Sequence, residues 1–486
     1  MNTVKNYILG NWEAGSGTEY TARHAITGAE FASVSSEGLD YKAILDYARN
    51  VGGPALRKMT FQERGRMLKA LALHLMSIKR QFYDVSWATG ATKVDSWIDI
   101  EGGIGNLFAN ASLRRQFPDL PYYVDGDLAR LSKEGTFIGH HIMVPRHGVA
   151  VHINAFNFPI WGMLEKIAVN LMAGVPAVVK PSEYTSYLTE AMVKAIIDSG
   201  ILPEGALQLV SGKGRGILDH VDFQDIVTFT GSAATCQVLR GLPHMNERSV
   251  PFNLEADSLN ASVLGPDVKP EDAEFALFVR ELANEMTVKA GQKCTAIRRA
   301  MVPEHLLPAV QEAVIARLQK TVIGDPQAEG VRMGALATHE QIGRVEAEMN
   351  KLMAEQELVF NPDLDIVGAT DAGAFYTPKL FVNTDPFAKT KVHEVEPFGP
   401  VSTLMPYKTI DEAVQLTAMG RGSLVTSFAS NNTSDIIAFT TEAAAYNGRI
   451  HIINEKMAKE STGHGSPMPL MKHGGPGRAG GGEEMG

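Results

Sequence analysis

Short apolar runs alternate with segments of helical periodicity from Gly148 onwards, and this alternation limits the possible folds more than any other feature of the chain. The apolar runs predict strands at residues 148–153, 177–180, 207–210 and 225–229. The segments between and after them predict helices at residues 162–173, 185–199 and 232–239. Short buried strands separated by helices indicate a parallel sheet with right-handed crossovers. Because such sheets bind ligands at the carboxyl ends of their strands, functional residues are expected directly after each strand.

The segments on either side of this alternation complete an α/β chain. Downstream, strands are predicted at residues 251–255 and 261–265, and helices at residues 272–289, 308–319 and 340–357. Upstream, residues 41–109 have helical periodicity, and alternating runs with turn signals between residues 117 and 144 predict an inserted β-hairpin. Residues 463–486 are rich in glycine and proline, which predicts a loop.

The composition excludes several classes of protein. Hydrophobic residues at 44% and charged residues at 21% are typical of a folded protein with a large core. A formal net charge of −10 argues against a nucleic-acid partner, because phosphate binding needs a basic face. Cys236 and Cys294 are the only cysteines, so no disulfide framework is available. No signal peptide or membrane-spanning run is recognisable, so we expect a cytoplasmic location and no membrane partner.

Polar segments follow the first two predicted strands of the alternation. Asn154 and Asn157 lie in the run Asn-Ala-Phe-Asn-Phe-Pro, where a side-chain amide could donate to a developing oxyanion. The alternative is an asparagine that only satisfies its own turn. Lys180, Ser182 and Glu183 follow the next strand, where a lysine and a carboxylate suit the hydroxyls of a nucleotide ribose. The alternative there is a solvated ion pair.

A third segment, Phe229-Thr230-Gly231-Ser232, leads from a strand through a tight turn into a helix. The free N–H groups of such a helix start can bind a phosphate. Ser232 could equally be an ordinary N-cap. The glycine-rich residues 211–216 match only part of a dinucleotide fingerprint, which is weak evidence.

The fourth segment surrounds Cys294 in the run Gly-Gln-Lys-Cys-Thr, which opens with a glycine and is polar. A lone cysteine is often a small buried hydrophobe, but this loop is a poor place to bury one. A thiolate attacks carbonyl carbons well, and a carboxylate such as Glu255 could activate water for a following hydrolysis.

Taken in order, these segments resemble the aldehyde dehydrogenase superfamily from about Tyr7 to Arg478, and the run Glu396-Pro-Phe398-Gly-Pro is a further part of the resemblance. The resemblance implies an α/β fold with a Rossmann-like cofactor domain, an α/β catalytic domain and a β-hairpin oligomerisation element. The implied division assigns the dinucleotide-binding domain to residues 1–120 and 146–255, the hairpin to 121–145, the catalytic domain to 256–462 and a glycine-rich C-terminal segment to 463–486.

The resemblance also implies catalytic roles. Cys294 would be the nucleophile and Glu255 the general base, while Asn157 and the backbone N–H of Cys294 would form the oxyanion hole. An aldehyde would be oxidised to an acid through a thioester on Cys294. Phe158 would wall the substrate tunnel, and Gly162 lies where many relatives carry bulkier groups.

The implied cofactor is NAD or NADP, and no metal is implied. Lys180 and Glu183 would hold the adenosine ribose, Ser232 the pyrophosphate and Glu396 the nicotinamide ribose, with Phe398 near the nicotinamide. The remaining cofactor contacts would come from Ile153, Asn154, Ser182, Thr230 and Gly231.

Three stretches, residues 91–103, 255–260 and 473–484, are similar to a subgroup of this family that acts in phenylacetate and benzoate degradation. Members of that subgroup oxidise semialdehydes carried as coenzyme A thioesters. Glu255 favours hydrolysis of the thioester over transfer of the acyl group to coenzyme A. The alternatives are an aldehyde dehydrogenase of broader substrate range and a non-catalytic binding protein with the same fold.

Three departures from the family pattern affect these expectations. Cys236 stands where a second glycine is usual, and a tolerated small residue is the simplest explanation. Glu183 would repel a 2′-phosphate and favours NAD, whereas the subgroup resemblance favours NADP. Relatives usually continue past Arg478 into a strand that pairs across a dimer, whereas this sequence ends at Gly486. The inserted hairpin would then lack its usual partner strand, so a homodimer with weakened assembly is expected.

Overall fold

A computed structural model describes residues 1–469 and 471–485, and it is built around two seven-stranded sheets. The first, called here the cofactor sheet, has the strand order Phe252–Glu255, Ile226–Thr230, Ala150–Ile153, Ala177–Lys180, Leu207–Leu209, Asn6–Ile8, Asn11–Glu13. The second, called here the catalytic sheet, has the order Glu357–Phe360, Lys379–Val382, Val401–Tyr407, Arg299–Pro303, Ala261–Leu264, Ser423–Ala429, Asn447–Ile453.

The α-helices surround both sheets. Those before residue 250 are Tyr41–Tyr47, Gly53–Lys58, Phe61–Ile78, Arg80–Trp87, Lys93–Trp97, Gly103–Ser112, Pro159–Met172, Ser186–Asp198, Ala233–Arg240 and Pro243–Glu247. Those after it are Ala273–Thr287, Leu307–Leu318, His339–Met353, Ile410–Ala418 and Thr433–Ala443. Smaller sheets join Asn2–Val4, Glu30–Val34 and Tyr20–Arg23, and pair Ile323–Gly324 with Ile366–Val367. In the part of the chain that is described, no helix combines the length and apolar character needed to cross a membrane.

The predicted parallel alternation is confirmed in the cofactor sheet. Ile153 is paired with Lys180 on one side and Phe229 on the other, and Thr230 is paired with Glu255, all in parallel register. Apolar side chains of these strands pack between helices on both faces, which explains the near-continuous hydrophobic runs. The register brings the polar residues that end these strands to one edge of the sheet. The antiparallel N-terminal strands beside Leu207–Leu209 were not predicted.

Two sequence predictions are wrong in detail. The helix predicted at residues 340–357 ends at Met353, and Glu357 begins an edge strand antiparallel to Lys379–Val382. The pairing of Phe360 with Leu380 buries Phe360, so tertiary packing overrides the helical pattern.

The C-terminal segment is not wholly the predicted loop, because Lys472–Gly474 and Glu483–Met485 form an antiparallel pair. Leu470 and Gly486 lie outside the described residues. The backbone N–H of Gly482 donates to the Leu254 carbonyl at 3.2 Å. A Cβ atom at Gly482 would lie 2.3 Å from that carbonyl oxygen, so the glycine permits this close approach. The C-terminal segment is therefore hydrogen-bonded to the strand that ends in Glu255.

The predicted hairpin consists of Tyr123–Arg130 paired antiparallel with Ile138–Met143. Large hydrophobic side chains of this hairpin are exposed, among them Val124, Leu128, Ile138 and Ile142. Several exposed large apolar side chains on one element are typical of a protein–protein contact.

Candidate active site

Cys294 lies in a loop that is reached through a strained turn. The helix Ala273–Thr287 is followed by Lys289 and Ala290, with φ values of 53° and 51°, and Gly291 at 67°. Residues other than glycine are uncommon in this left-handed region and remain there only when surrounding contacts hold them. Asp95 provides one such contact, since its Oδ1 accepts from the Lys289 backbone N–H at 2.7 Å. The buried Lys289 Nζ donates to Thr89 Oγ1 at 3.0 Å.

Asn157 is held against the same loop. Its side-chain Nδ2 donates to the carbonyl of Gln292 at 3.0 Å, and the Gln292 side chain donates to the Lys289 carbonyl at 3.1 Å. Asn157 is buried. The amide that was predicted to serve an oxyanion thus lies beside the Cys294 loop, on the segment that opens the helix Pro159–Met172.

Asp99 fixes the start of that helix, and the sequence analysis did not identify this role. Its Oδ1 accepts from the backbone N–H groups of Ile160 at 3.0 Å and Trp161 at 2.7 Å. Burial raises the pKa of Asp99 to about 7 despite these donors. Asp95 and Asp99 lie on one continuous helical stretch. This single element therefore contacts both the loop that carries Cys294 and the start of the helix Pro159–Met172. This explains part of the unusual 91–103 sequence.

Glu255, Cys294 and His473 form the centre of the site. Their carboxylate, thiol and imidazole ligand atoms all lie within 4.8 Å of one another, and His473 Nε2 is 3.1 Å from Glu255 Oε2. Burial and the neighbouring Glu255 raise the pKa of Cys294 well above its ordinary value. Burial also acts to raise the pKa of Glu255, but His473 and Lys166 together hold it below the ordinary value. The resting pair is therefore a neutral thiol beside a carboxylate.

His473 was not singled out by the sequence analysis as a site residue, although it opens the distinctive 473–484 stretch. It lies far from Glu255 in sequence. The antiparallel strand pair of the C-terminal segment, described above, holds it beside Glu255. Lys166 was missed as well. It is buried, forms an ion pair with Glu165 at 2.9 Å, and lies on the helix Pro159–Met172 that follows Asn157.

The distinctive 255–260 stretch holds the surrounding loops together. Ser258 N donates to Glu396 Oε2 at 3.0 Å, and Asn260 Nδ2 donates to the Cys294 carbonyl at 2.7 Å. Asp257 Oδ1 accepts from the N–H of Ala233 at 2.8 Å. These contacts explain why polar residues follow Glu255 directly.

A cavity of about 70 Å³ opens beside this centre. Its lining includes the predicted residues Asn154, Asn157, Phe158, Gly162, Thr230, Glu255 and Cys294. A Cβ atom at Gly162 would meet no atom within 4 Å, so the glycine leaves open space. Trp161, whose indole N–H donates to Glu165 at 2.8 Å, and the C-terminal Ser466 and Pro467 also line the cavity.

Some polar side chains of this lining have unsatisfied hydrogen-bonding groups, Asn154 and Thr230 among them. Both polar atoms of the Asn154 side chain, and Thr230 Oγ1, are buried without a hydrogen-bond partner among the described residues. Buried polar atoms are rarely left unpaired in a folded protein. A ligand with hydrogen-bonding groups would therefore fit this end of the cavity.

The remaining predicted cofactor residues lie outside the cavity lining. Lys180 Nζ is 3.4 Å from Glu183 Oε2, and Ser182 Oγ accepts from the Tyr184 N–H at 3.4 Å. Burial lowers the pKa of Lys180, while Glu183 acts to raise it. The Lys180 side chain also borders Gly214, where a Cβ atom would lie 3.0 Å away. The glycine-rich stretch is thus adjacent to the Lys180–Glu183 pair.

Ser232 caps the helix Ala233–Arg240 by accepting from the Thr235 N–H at 3.2 Å, which is the alternative left open from the sequence. Gly231 N donates to the Glu255 carbonyl at 3.2 Å, and Ile153 packs against the same apolar group as Cys236. Cys236 is buried between Phe229 and Leu254, as a small apolar residue would be.

Glu396 is joined to the Cys294 loop through Arg298. Glu396 Oε1 is 3.6 Å from Arg298 Nε, and the same guanidinium donates to the Gly291 carbonyl at 2.9 Å. Burial raises the pKa of Glu396 to about 7. The Phe398 ring lies 5.5 Å from the Arg298 guanidinium and packs edge-on against Phe156.

Comparisons with known proteins identify the family of the chain. The family model described as "Aldehyde dehydrogenase family" matches residues 12–486. The chain is 40% identical, over 97% of its length and 93% of the relative, to the 3,4-dehydroadipyl-CoA semialdehyde dehydrogenase of Aromatoleum evansii. Among solved structures, betaine aldehyde dehydrogenase from Staphylococcus aureus is similar with a TM-score of 0.85 and 22% identity, covering 99% of this chain and 92% of that one.

A further solved structure, an NAD-dependent aldehyde dehydrogenase from Sinorhizobium meliloti, has a TM-score of 0.84 and 21% identity, covering 100% of this chain and 92% of that one. At these identities the structural likeness concerns the fold, and it confirms the predicted α/β architecture. The family match and the relative from Aromatoleum evansii extend over nearly the whole chain. The chain therefore belongs to the aldehyde dehydrogenase family of oxidoreductases.

Proposed function

We propose that the protein oxidises an aldehyde to a carboxylic acid with NAD or NADP, through a thioester on Cys294 that water hydrolyses. The observation that carries this proposal is the grouping of Cys294, Glu255 and His473 beside the Asn157 amide at the cavity. A nucleophile, a carboxylate base and an amide donor are the groups that such a reaction requires.

In the first step the Cys294 sulfur bonds to the aldehyde carbon, and the thiol proton passes to Glu255. The transfer starts from a neutral thiol and an ionised Glu255, and these opposite pKa shifts make it uphill until the sulfur bonds to the aldehyde carbon. The carbonyl oxygen then carries negative charge, which Asn157 Nδ2 stabilises after turning from the Gln292 carbonyl.

A bound nicotinamide would supply the hydride acceptor that is needed to convert the aldehyde on Cys294 to a thioester. Glu255 loses its proton to solvent and then accepts one from the water that attacks the thioester carbon. The bond to sulfur breaks, and the acid leaves while Cys294 regains a proton. His473, at 3.1 Å, keeps the Glu255 carboxylate oriented throughout.

The residues present fit a nicotinamide dinucleotide. The unsatisfied side chains of Asn154 and Thr230 offer hydrogen-bonding groups at the cavity, and Lys180 and Glu183 suit ribose hydroxyls. We propose a preference for NAD with some use of NADP. Glu183 would repel a 2′-phosphate, but the ion pair with Lys180 partly neutralises the negative charge of Glu183.

We propose a semialdehyde carried as a coenzyme A thioester as the substrate. Support comes from the name of the 40%-identical relative and from the open space at Gly162 beside Phe158. A dehydrogenase of broader substrate range is the second candidate, since a space of this kind also admits simpler aldehydes. A purely binding role is disfavoured because the nucleophile, base and amide donor are all present together.

The same proposal includes the predicted division into a cofactor domain, a catalytic domain and the hairpin, and a homodimer formed through that hairpin. Cys236 and Cys294 are both free thiols, which suits the reducing cytoplasm.

The test is reduction of NAD and of NADP, followed by absorbance, with a coenzyme A-linked semialdehyde and separately with a simple aliphatic aldehyde. We expect turnover of the linked substrate by the wild-type protein and by Cys236→Ala, and none by Cys294→Ala. Turnover of the simple aldehyde alone would contradict the proposed substrate. Failure of the folded wild-type protein on both substrates would contradict the catalytic proposal.

A further inference from the structure

The grouping of Glu255, Cys294 and His473 also has the composition of a metal site. A carboxylate, a thiol and an imidazole converge from three separate segments, with their ligand atoms within 4.8 Å of one another. We propose that these three side chains bind a borderline-soft divalent cation, with Zn²⁺ as the preferred ion. Its binding reversibly inhibits the enzyme, because it occupies the proposed nucleophile and base together.

The imidazole and the carboxylate are already spaced for such an ion. Zinc binds nitrogen and oxygen at about 2.0–2.1 Å, so two such ligands of a tetrahedral ion are separated by roughly 3.3 Å. His473 Nε2 and Glu255 Oε2 are 3.1 Å apart. With a zinc–sulfur bond of about 2.3 Å, the sulfur must lie roughly 3.5 Å from the other two ligand atoms. Cys294 Sγ lies within 4.8 Å of one ring nitrogen of His473 and of one carboxylate oxygen of Glu255, so closing the site takes a movement on the order of 1 Å.

The charges also favour a cation. A divalent ion replaces the thiol proton, and with one thiolate, one carboxylate and one neutral imidazole the resulting cluster has no net charge. Lys166 is the opposing charge nearby, but its ion pair with Glu165 at 2.9 Å reduces that opposition. Binding therefore displaces to solvent the proton of the Cys294 thiol and the extra proton of a charged His473 ring.

The ligand types select among cations. Thiolate and imidazole suit zinc, whereas magnesium and calcium prefer sites made entirely of oxygen ligands. Three protein ligands leave a fourth position that faces the cavity and can hold water. The site thus resembles an open zinc site in its ligand number.

The experiment measures binding of Zn²⁺ to the metal-free full chain by isothermal titration, with alkylation of Cys294 followed in parallel. We expect one Zn²⁺ per site, protection of Cys294 from iodoacetamide, and recovery of both thiol reactivity and dehydrogenase activity after chelation. Co²⁺ is a second probe, since its thiolate absorption band reports directly on a cobalt–sulfur bond.

Variants separate this site from adventitious binding. Cys294→Ser should abolish the cobalt–thiolate band, and His473→Asn should weaken Zn²⁺ binding by at least about tenfold. Cys236→Ser, which alters the other thiol, is the matched control and should bind as the wild type does. His473→Gln is a second substitution, used if circular dichroism shows that the asparagine variant is misfolded.

Two results would overturn the proposal. One is Zn²⁺ affinity unchanged in a folded His473 variant, which would mean that the imidazole is not a ligand. The other is binding retained in Cys294→Ser but lost in Cys236→Ser, which would locate the ion elsewhere.

Discussion

The active centre and the exposed hairpin are built in opposite ways. The centre draws Glu255 from a strand end, Cys294 from a strained loop and His473 from the C-terminal segment, and its polar groups are mostly buried. The hairpin Tyr123–Arg130 and Ile138–Met143 is a local pairing with large apolar side chains exposed to solvent. A substitution in the centre therefore affects several segments together. A substitution in the hairpin should affect only its contact with a partner subunit.

The largest effect is expected at the nucleophile. Cys294→Ala should lower kcat/KM for aldehyde oxidation by at least about 10⁴-fold, because loss of a catalytic nucleophile removes the covalent route. Steady-state reduction of the cofactor measures it. Cys236→Ala should stay within about twofold of the wild type, since Cys236 packs only against Phe229, Leu254 and nearby apolar groups. Comparable losses in both variants would contradict the assignment of Cys294.

The next largest effect is expected at the proposed base. Glu255→Gln keeps the shape of the side chain but removes the carboxylate, and kcat should fall by about 10²–10⁴-fold. Steady-state reduction of the cofactor measures this fall, which includes both proton transfers assigned to Glu255. The control is Glu394→Gln, an exposed carboxyl outside the cavity. Unchanged turnover in Glu255→Gln would assign the base to another residue.

A smaller effect, dependent on pH, is expected at Asp99. Its folded-state pKa of about 7 exceeds the ordinary value of 3.8, so the folded state binds the extra proton between these values. The contribution of Asp99 to stability therefore falls as pH rises from about 4 to about 7, and levels off above that. Asp99→Asn should gain stability relative to the wild type across this window.

Urea unfolding of both proteins at several pH values measures that difference. A difference that does not vary with pH would show that Asp99 is not the titrating group. Asp99→Ala should in addition lower the stability by about 1–2 kcal/mol, because the first N–H groups of the helix Pro159–Met172 lose their acceptor.

The smallest effect on the centre is expected from the hairpin. Ile142→Lys replaces an exposed apolar side chain and should shift a homodimer towards monomer in light scattering, while kcat/KM stays within about twofold. Phe223→Lys, an exposed hydrophobic residue outside the hairpin, is the matched control and should leave the assembly unchanged. A wild-type tetramer that resists dilution would contradict the predicted weak dimer, and a large loss of activity in Ile142→Lys would show that the two regions are coupled.

Prediction from the sequence succeeded where the signal is local. The strand at Ala177–Lys180 and the helix Ser186–Asp198 follow directly from the hydrophobic pattern and its boundaries. Cys294, Glu255 and Asn157 could be singled out because they lie in short motifs, and the structure brings all three to the same cavity. The edge strand at Glu357–Phe360 was missed because its formation depends on a partner strand elsewhere.

The residues that support the site were harder to find. Asp95 and Asp99 were part of a stretch that had no assigned purpose until their bonds to Lys289, Ile160 and Trp161 were visible. His473 belonged to a segment predicted to be loop. Its contact with Glu255 depends on glycines that let the C-terminal backbone approach Leu254.

The amino-acid sequence by itself determined the alternating α/β elements and the order of the polar segments after the strands, and its resemblance to a family proposed Cys294, Glu255 and Asn157 as site residues. The elements follow from the period of the hydrophobic pattern, which depends only on neighbouring residues. Only the tertiary structure decided that His473 joins Glu255 and Cys294, and that one helical stretch contacts both halves of the site. Such contacts join residues far apart in the chain, so they depend on the packing of whole elements.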